Sequence, residues 1–267
     1  MRVAKSEGAE IAYSDEGQRA GVPLVLIMGL GGSAEEWGDD FLLELRRQRR
    51  VVRFHNRGVG LSSNTVTNFT FTHMARDVIA VIEALGLSEA DVLGYSMGGM
   101  VAQRLVLDYP ERVRRLVLMA THFGGPEVVQ PQERVQPLFE RRPPGESLPE
   151  QFRRFCSALA APGFAEAHME LAERFAEGRM RNPVSLPTYQ AQMTSILSDD
   201  RSARVQDINV PTLVVHGDQD ALVPVENGRL LAGRVPGATL HILPGCGHLP
   251  TWEQPQPVLA VLARFLD

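Results

Sequence analysis

Ser96 stands at the centre of Gly94-Tyr95-Ser96-Met97-Gly98, between Asp91-Val92-Leu93 and an amphipathic stretch from Met100 to Tyr109. Glycines two residues before and after a serine suit a very tight strand-to-helix turn, where side chains at those positions have no room and the hydroxyl is left exposed. Such a hydroxyl is a weak nucleophile. It needs a general base within hydrogen-bond reach, and the base needs a carboxylate to orient it. A glycine-rich turn that only ends a strand would carry the same five residues, so partners elsewhere decide the reading.

In an open parallel sheet those partners belong on loops at the carboxyl ends of strands. Two loops downstream of Ser96 qualify. His216-Gly217-Asp218-Gln219-Asp220-Ala221-Leu222-Val223-Pro224 follows an apolar run ending at Val215, and Pro244-Gly245-Cys246-Gly247-His248 follows one ending at Leu243. His248 is the candidate base. Asp220 and Asp218 both stand in the acid loop, and an Asp can instead bond the backbone two residues on. The oxyanion of such a reaction needs preorganised N–H donors, and the Met97 amide, opening the helix after the serine, is one.

The elements that must position these groups alternate along the chain. An outer hairpin runs to Ser14, turning at Glu7-Gly8. Apolar runs at Leu24–Met28, Val51–Phe54, Val92–Leu93, Val113–Met119, Thr212–Val215 and Thr239–Leu243 read as strands, several of them buried on both faces. Between them, helical spacing runs over Glu35–Gln48 (with Trp37, Phe41, Leu42 and Leu45 on one stripe), Phe71–Leu85, Met100–Leu107, Val225–Arg234 and Pro255–Leu266. This rhythm predicts an α/β chain with a mostly parallel, doubly wound sheet covered on both faces. It breaks after Thr121. Residues 122–205 are proline-rich, hold no strand-like run and carry amphipathic pieces, which predicts a helical cap inserted after the sixth strand, with 1–121 and 206–267 forming the core.

Bulk properties narrow the function. In 267 residues, 44% hydrophobic and 22% charged content are those of a globular chain, and a net charge of −5 offers no field for nucleic acid or an anionic membrane. The two cysteines, Cys156 and Cys246, make no disulfide framework, and no histidine cluster has metal-ligand spacing. The N-terminus lacks an apolar signal segment, so the expected setting is cytoplasmic.

Met28-Gly29-Leu30-Gly31-Gly32, the serine turn, His216-Gly-Asp-Gln-Asp220 and Gly245-Cys-Gly-His248 together resemble the α/β-hydrolase fold superfamily, in particular its serine esterases and 3-oxoadipate enol-lactonase-like hydrolases. The resemblance spans nearly the whole chain. It implies Asp220 as the acid, leaving Asp218 to turn capping, and Leu30 as the second oxyanion donor beside Met97. Met28 stands where many relatives have His, a change that leaves a backbone donor in place. His55-Asn56-Arg57-Gly58-Val59-Gly60-Leu61-Ser62 resembles a turn that relatives begin with Asp, and a structural role is expected, with Arg57 bonding nearby carbonyls. The implied activity is cofactor-independent cleavage of a small-molecule carboxylic ester or lactone by Ser96, His248 and Asp220, with no metal. A homodimer is the one self-association left open.

Ser96 in place of Asp argues against dehalogenase and epoxide hydrolase chemistry. Carbon–carbon bond hydrolases and cofactor-free perhydrolases share the triad, and a ligand-binding protein could retain the fold. An acidic substrate would want a cap arginine such as Arg134, Arg141 or Arg179 at the pocket. Phe123, Leu138, Phe139, Phe152, Phe155, Phe164, Phe175, Met180 and Met193 offer the cap apolar surface. His122, at the junction of core and cap, borders the expected pocket.

Overall fold

Four consecutive apolar residues dictate the centre of the sheet. In β3 (Leu24–Ile27) every side chain is buried, with Val25 and Ile27 packing on one face and Leu24 and Leu26 on the other. A computed structural model describes residues 1–140 and 142–267, the side chain of Pro137 excepted. Around β3, the strands β1 (Arg2–Ser6), β2 (Ala9–Gly17), β4 (Arg50–Phe54), β5 (Ala90–Tyr95), β6 (Val113–Met119), β7 (Thr212–Gly217) and β8 (Thr239–Leu243) form one eight-stranded sheet in the order β1-β2-β4-β3-β5-β6-β7-β8. Only the β1–β2 and β2–β4 pairings are antiparallel.

Helices cover both faces, as strands buried on two sides require. On one face lie α2 (Phe71–Ala84), α3 (Met97–Asp108) and α8 (Val225–Arg234), over Val25, Ile27, Val92 and Leu118. On the other lie α1 (Asp39–Gln48) and α10 (Pro255–Leu266), over Leu24, Leu26, Leu93 and Val117. Each fully buried Leu or Val there contributes about 1.5–3 kcal/mol. The chain leaves β3 toward β4 on one side and β5 on the other. This reversal opens a crevice at the carboxyl ends of β3 and β5, where open α/β sheets place their ligands.

Between β6 and β7 lie α4 (Leu148–Leu159), α5 (Phe164–Ala167), α6 (Met169–Arg181) and α7 (Leu186–Ser198), with no strand among the described residues. Ser147 and Glu150 close a capping box at the start of α4. A small apolar cluster around Cys156, Leu159, Ala172 and Phe175 joins these helices to Leu249 and Trp252 of the core. A further short helix, α9 (Pro250–Glu253), sits beside them.

Two helix starts differ from the periodicity. The helix expected from Glu35 begins at Asp39, because Gly38 takes φ +88° and Glu36 N bonds Ser33 O in a preceding turn, so Trp37 is buried ahead of the helix. The helix after the serine starts at Met97 rather than Met100.

Candidate active site

The serine turn is enforced sterically. Ser96 has φ +53°, a region that costs a side-chain-bearing residue about 1–3 kcal/mol. Its neighbours allow it. A Cβ on Gly94 would lie 2.3 Å from Gly98 O, and one on Gly98 would lie 2.0 Å from Ile27 O, so β5, α3 and β3 approach only because these residues are glycine. Ser96 N donates to Met119 O (2.9 Å), and the Thr121 hydroxyl donates to Ser96 O (2.7 Å).

Three side chains converge here. The Ser96 hydroxyl lies 3.0 Å from His248 Nε2, and His248 Nδ1 lies 2.7 Å from Asp220 Oδ2. Asp220 Oδ1 accepts from Leu222 N (3.0 Å) and Val223 N (2.8 Å), which turns the other oxygen to the imidazole. Burial alone would raise the Asp220 pKa. Its electrostatic attraction to His248, with the hydrogen bonds from His216 and His248, overcomes this and holds the carboxyl down to about 2. An ionised Asp220 can only accept, so Nδ1 carries the proton, and the Nε2 lone pair of a neutral ring faces the hydroxyl.

Asp218 is exposed and accepts from Gly245 N (2.7 Å), tying the two loops together. The local turn expected of it belongs to Asp220, whose Oδ1 makes the bond two residues on. Arg57 likewise differs from expectation. Its chief partner is the buried Asp77 carboxylate (2.7 and 2.6 Å), with the His73 carbonyl at 3.3 Å. His55 is buried against Gly60, 3.6 Å from Glu35.

Facing Ser96 is the turn after β3. A Cβ on Gly29 would lie 3.2 Å from Ser96 Cβ, so the start of this turn packs against the serine. Gly32 N donates to Gly29 O (3.2 Å), and φ is positive at Gly31 (+62°) but not at Leu30, which makes a type II turn. The planar 29–30 peptide points its oxygen at Gly32 and its Leu30 N–H the opposite way. The next peptide is held at both ends from α6 and α7. Arg179 donates to Leu30 O (3.3 Å from each Nη), and Gln192 Oε1 accepts from Gly31 N (2.8 Å). Met97 N, the first amide of α3, has no intrahelical acceptor.

A cavity of about 670 Å³ opens onto Ser96 and His248. Of the apolar residues expected to serve it, Leu138, Phe139, Phe155, Phe175 and Met193 line it, and Phe123, Phe152, Phe164 and Met180 do not. Arg179 lines it, paired at 3.0 Å with Glu36, whose carboxyl burial pushes up against the pull of that arginine. Arg134 lies off the cavity, donating to Ala158 O, Ala160 O and Gln219 O. Arg141 lies outside the described residues. Among those residues no group of three His, Cys, Asp or Glu is placed to hold a metal ion, and no helix is long and apolar enough to cross a membrane.

A family model described as the α/β hydrolase fold matches residues 22–255. The chain belongs to the α/β-hydrolase fold family. It is similar to a poly(3-hydroxyalkanoate) depolymerase of Ectopseudomonas oleovorans, at 31% identity over 92% of this chain and 84% of that one. A 2-hydroxy-6-oxononadienedioate/2-hydroxy-6-oxononatrienedioate hydrolase of Burkholderia vietnamiensis is 29% identical over 97% and 92%. The solved enol-lactonase of Burkholderia xenovorans LB400 shares the fold, with a TM-score of 0.85 at 22% identity over 99% of each chain.

Several supporting contacts of this hydrolase-fold site escaped the sequence reading. Glu253 accepts from Ala161 N, Gly247 N and Leu249 N, tying the His248 loop to the chain after α4, and His248 N donates to Leu159 O (2.8 Å). The Tyr95 hydroxyl donates to His248 O (2.8 Å). Pro250, a favoured first helical residue, was the available signal for the short helix that carries Glu253. No local signal marks Tyr95 or the Arg179–Glu36 pair, whose partners are far apart in the chain.

Proposed function

We propose that this chain is a cofactor-independent serine hydrolase that cleaves a carboxylic ester or lactone through an acyl-enzyme. The observation that carries the reading is the continuous Asp220–His248–Ser96 chain of hydrogen bonds opening on a mainly apolar cavity. Ser96 Oγ attacks the carbonyl carbon as His248 Nε2 takes its proton. Asp220 holds the ring in the required tautomer and stabilises the imidazolium. The amides of Leu30 and Met97 receive the charge on the carbonyl oxygen. His248 returns the proton to the leaving alkoxide, then activates water to release the acid.

The depolymerase and enol-lactonase relatives are named for ester and lactone substrates, which favours this reading. The similarity to the 2-hydroxy-6-oxononadienedioate hydrolase favours carbon–carbon bond hydrolysis as a second reading on the same residues. Turnover of short-chain nitrophenyl esters, lost in Ser96→Ala and His248→Ala and accompanied by fluorophosphonate labelling of Ser96, is the expected result. Wild-type turnover in either variant would overturn the mechanism. Tight ligand binding without turnover would point instead to a binding protein.

A further inference from the structure

One polar group in the cavity has no part in this mechanism. His122 follows β6, next to Thr121, whose hydroxyl bonds the Ser96 carbonyl, and it lines the cavity with Ser96. Gly124 N donates to His122 Nδ1 (3.0 Å). That nitrogen is therefore an acceptor, and in a neutral ring the proton must sit on Nε2. Burial, reinforced by the positive Arg201, pushes the His122 pKa down to about 4, so the ring is neutral across the range in which such an enzyme works. Among the described residues Nε2 bonds no protein group, and it is not sealed off from solvent, so it opens on the cavity. The turn at Gly124 thus fixes a neutral imidazole as a hydrogen-bond donor into a mainly apolar cavity.

We propose that His122 Nε2–H is a specificity determinant that binds a second oxygen of the substrate, one lying near the scissile carbonyl. The scissile oxygen itself is assigned to the Leu30 and Met97 amides, so the acceptor must be another: a ketone, a hydroxyl or a ring oxygen. The favoured substrate class is then an oxygen-substituted ester or lactone rather than a plain alkyl ester. A donor facing an apolar chain loses its water and gains nothing, so plain esters are penalised. This inference rests on the serine hydrolase reading.

The test compares ethyl 3-hydroxybutanoate and 2-hydroxyethyl butanoate with ethyl butanoate by titrating the acid released. The two oxygenated esters separate an acyl-side from an alcohol-side contact. The quantity read is the ratio of kcat/KM for oxygenated over plain ester in a variant, divided by the same ratio in the wild type, which cancels intrinsic reactivity. His122→Asn keeps an acceptor for Gly124 N but places no donor at the Nε2 position, and His122→Gln places one there. The ratio should fall about 3–10-fold in His122→Asn and be retained in His122→Gln. A structural role alone would not separate the two variants by substrate. An unchanged ratio in His122→Asn for both oxygenated esters overturns the proposal.

Nitrogen NMR of histidine-labelled protein gives a second, activity-independent reading, with the His122 signal assigned by its loss in His122→Asn. A neutral Nε2–H tautomer at pH 7 supports the proposal, and an Nδ1–H tautomer or an imidazolium overturns it. Failure of the underlying reading looks different: no ester is cleaved and fluorophosphonate leaves Ser96 unlabelled.

Discussion

Replacing Asp220 with Asn tests the acid assignment against its rival. The backbone amides of Leu222 and Val223 hold Oδ1, so in the variant the amide oxygen stays on that side and the NH₂ faces His248 Nδ1 across 2.7 Å. Two donors cannot share that contact. The imidazole responds by moving its proton to Nε2, and Ser96 then faces an N–H in place of a lone pair. The same exchange in a serine protease of unrelated fold costs about 10⁴-fold in kcat. With equivalent hydrogen bonds here, kcat/KM for nitrophenyl butanoate should fall by about 10³–10⁴. Asp218→Asn should stay within about threefold, because an exposed Asn accepts from Gly245 N as well as Asp does. Both variants are assayed from pH 5 to 9 after thermal melts show them folded. Equal losses, or an Asp220→Asn enzyme within tenfold of wild type, would refute the assignment.

Three further outcomes follow from the same contacts. The Asp220 carboxyl has a folded pKa of about 2 against an ordinary 3.8, so its ionised form contributes about 2 kcal/mol of stability above pH 4, lost as pH falls toward 2. Urea unfolding at pH 6 and pH 3 should show the stability gap between wild type and Asp220→Asn narrowing at the lower pH, and a constant gap would contradict it. Arg179→Ala frees the Leu30 carbonyl, so kcat should drop about 10–100-fold with KM within about threefold, partly restored by added guanidinium; a change in KM alone would show that the arginine only binds substrate. Arg57→Met strands the buried Asp77 carboxylate and should cost about 3–5 kcal/mol in urea unfolding, much of it recovered in Arg57→Met/Asp77→Leu.

What could be read from the sequence follows from how each feature is encoded. The sheet was legible because strands buried on both faces are written as apolar runs such as Leu24–Ile27, and the order of Ser, Asp and His along the chain was legible because each stands in the turn or loop that follows such a run. The choice between Asp218 and Asp220 was not a matter of local pattern. Both can make a turn, and the three-dimensional difference is that Asp220 spends one oxygen on the turn and keeps the other buried toward His248. Trp37 was displaced from its helix by one backbone angle, at Gly38. Glu36 and Arg179 meet across 143 residues, and no periodicity announces a pair of that separation.

These distant contacts share one property: they join the inserted helices to the loops that carry the candidate chemistry. Leu159 O receives His248 N, Glu253 binds both Gly247 N and Ala161 N, Arg134 links Ala158 and Ala160 to Gln219 of the acid loop, and Arg179 with Gln192 grips the turn facing Ser96. A Cβ on Gly247 would lie 2.4 Å from Ala161 N, so the close approach is built into the sequence. The insertion therefore holds the His248 loop, the Asp220 loop and the turn facing Ser96 at once, in addition to walling the cavity. A substitution that loosens α6 or α7 should impair turnover even of substrates too small to touch them, since what it disturbs is the geometry around Ser96. Exchanging this insertion for that of a relative would then change rate as well as substrate preference, because the loops and the helices that grip them are fitted to one another.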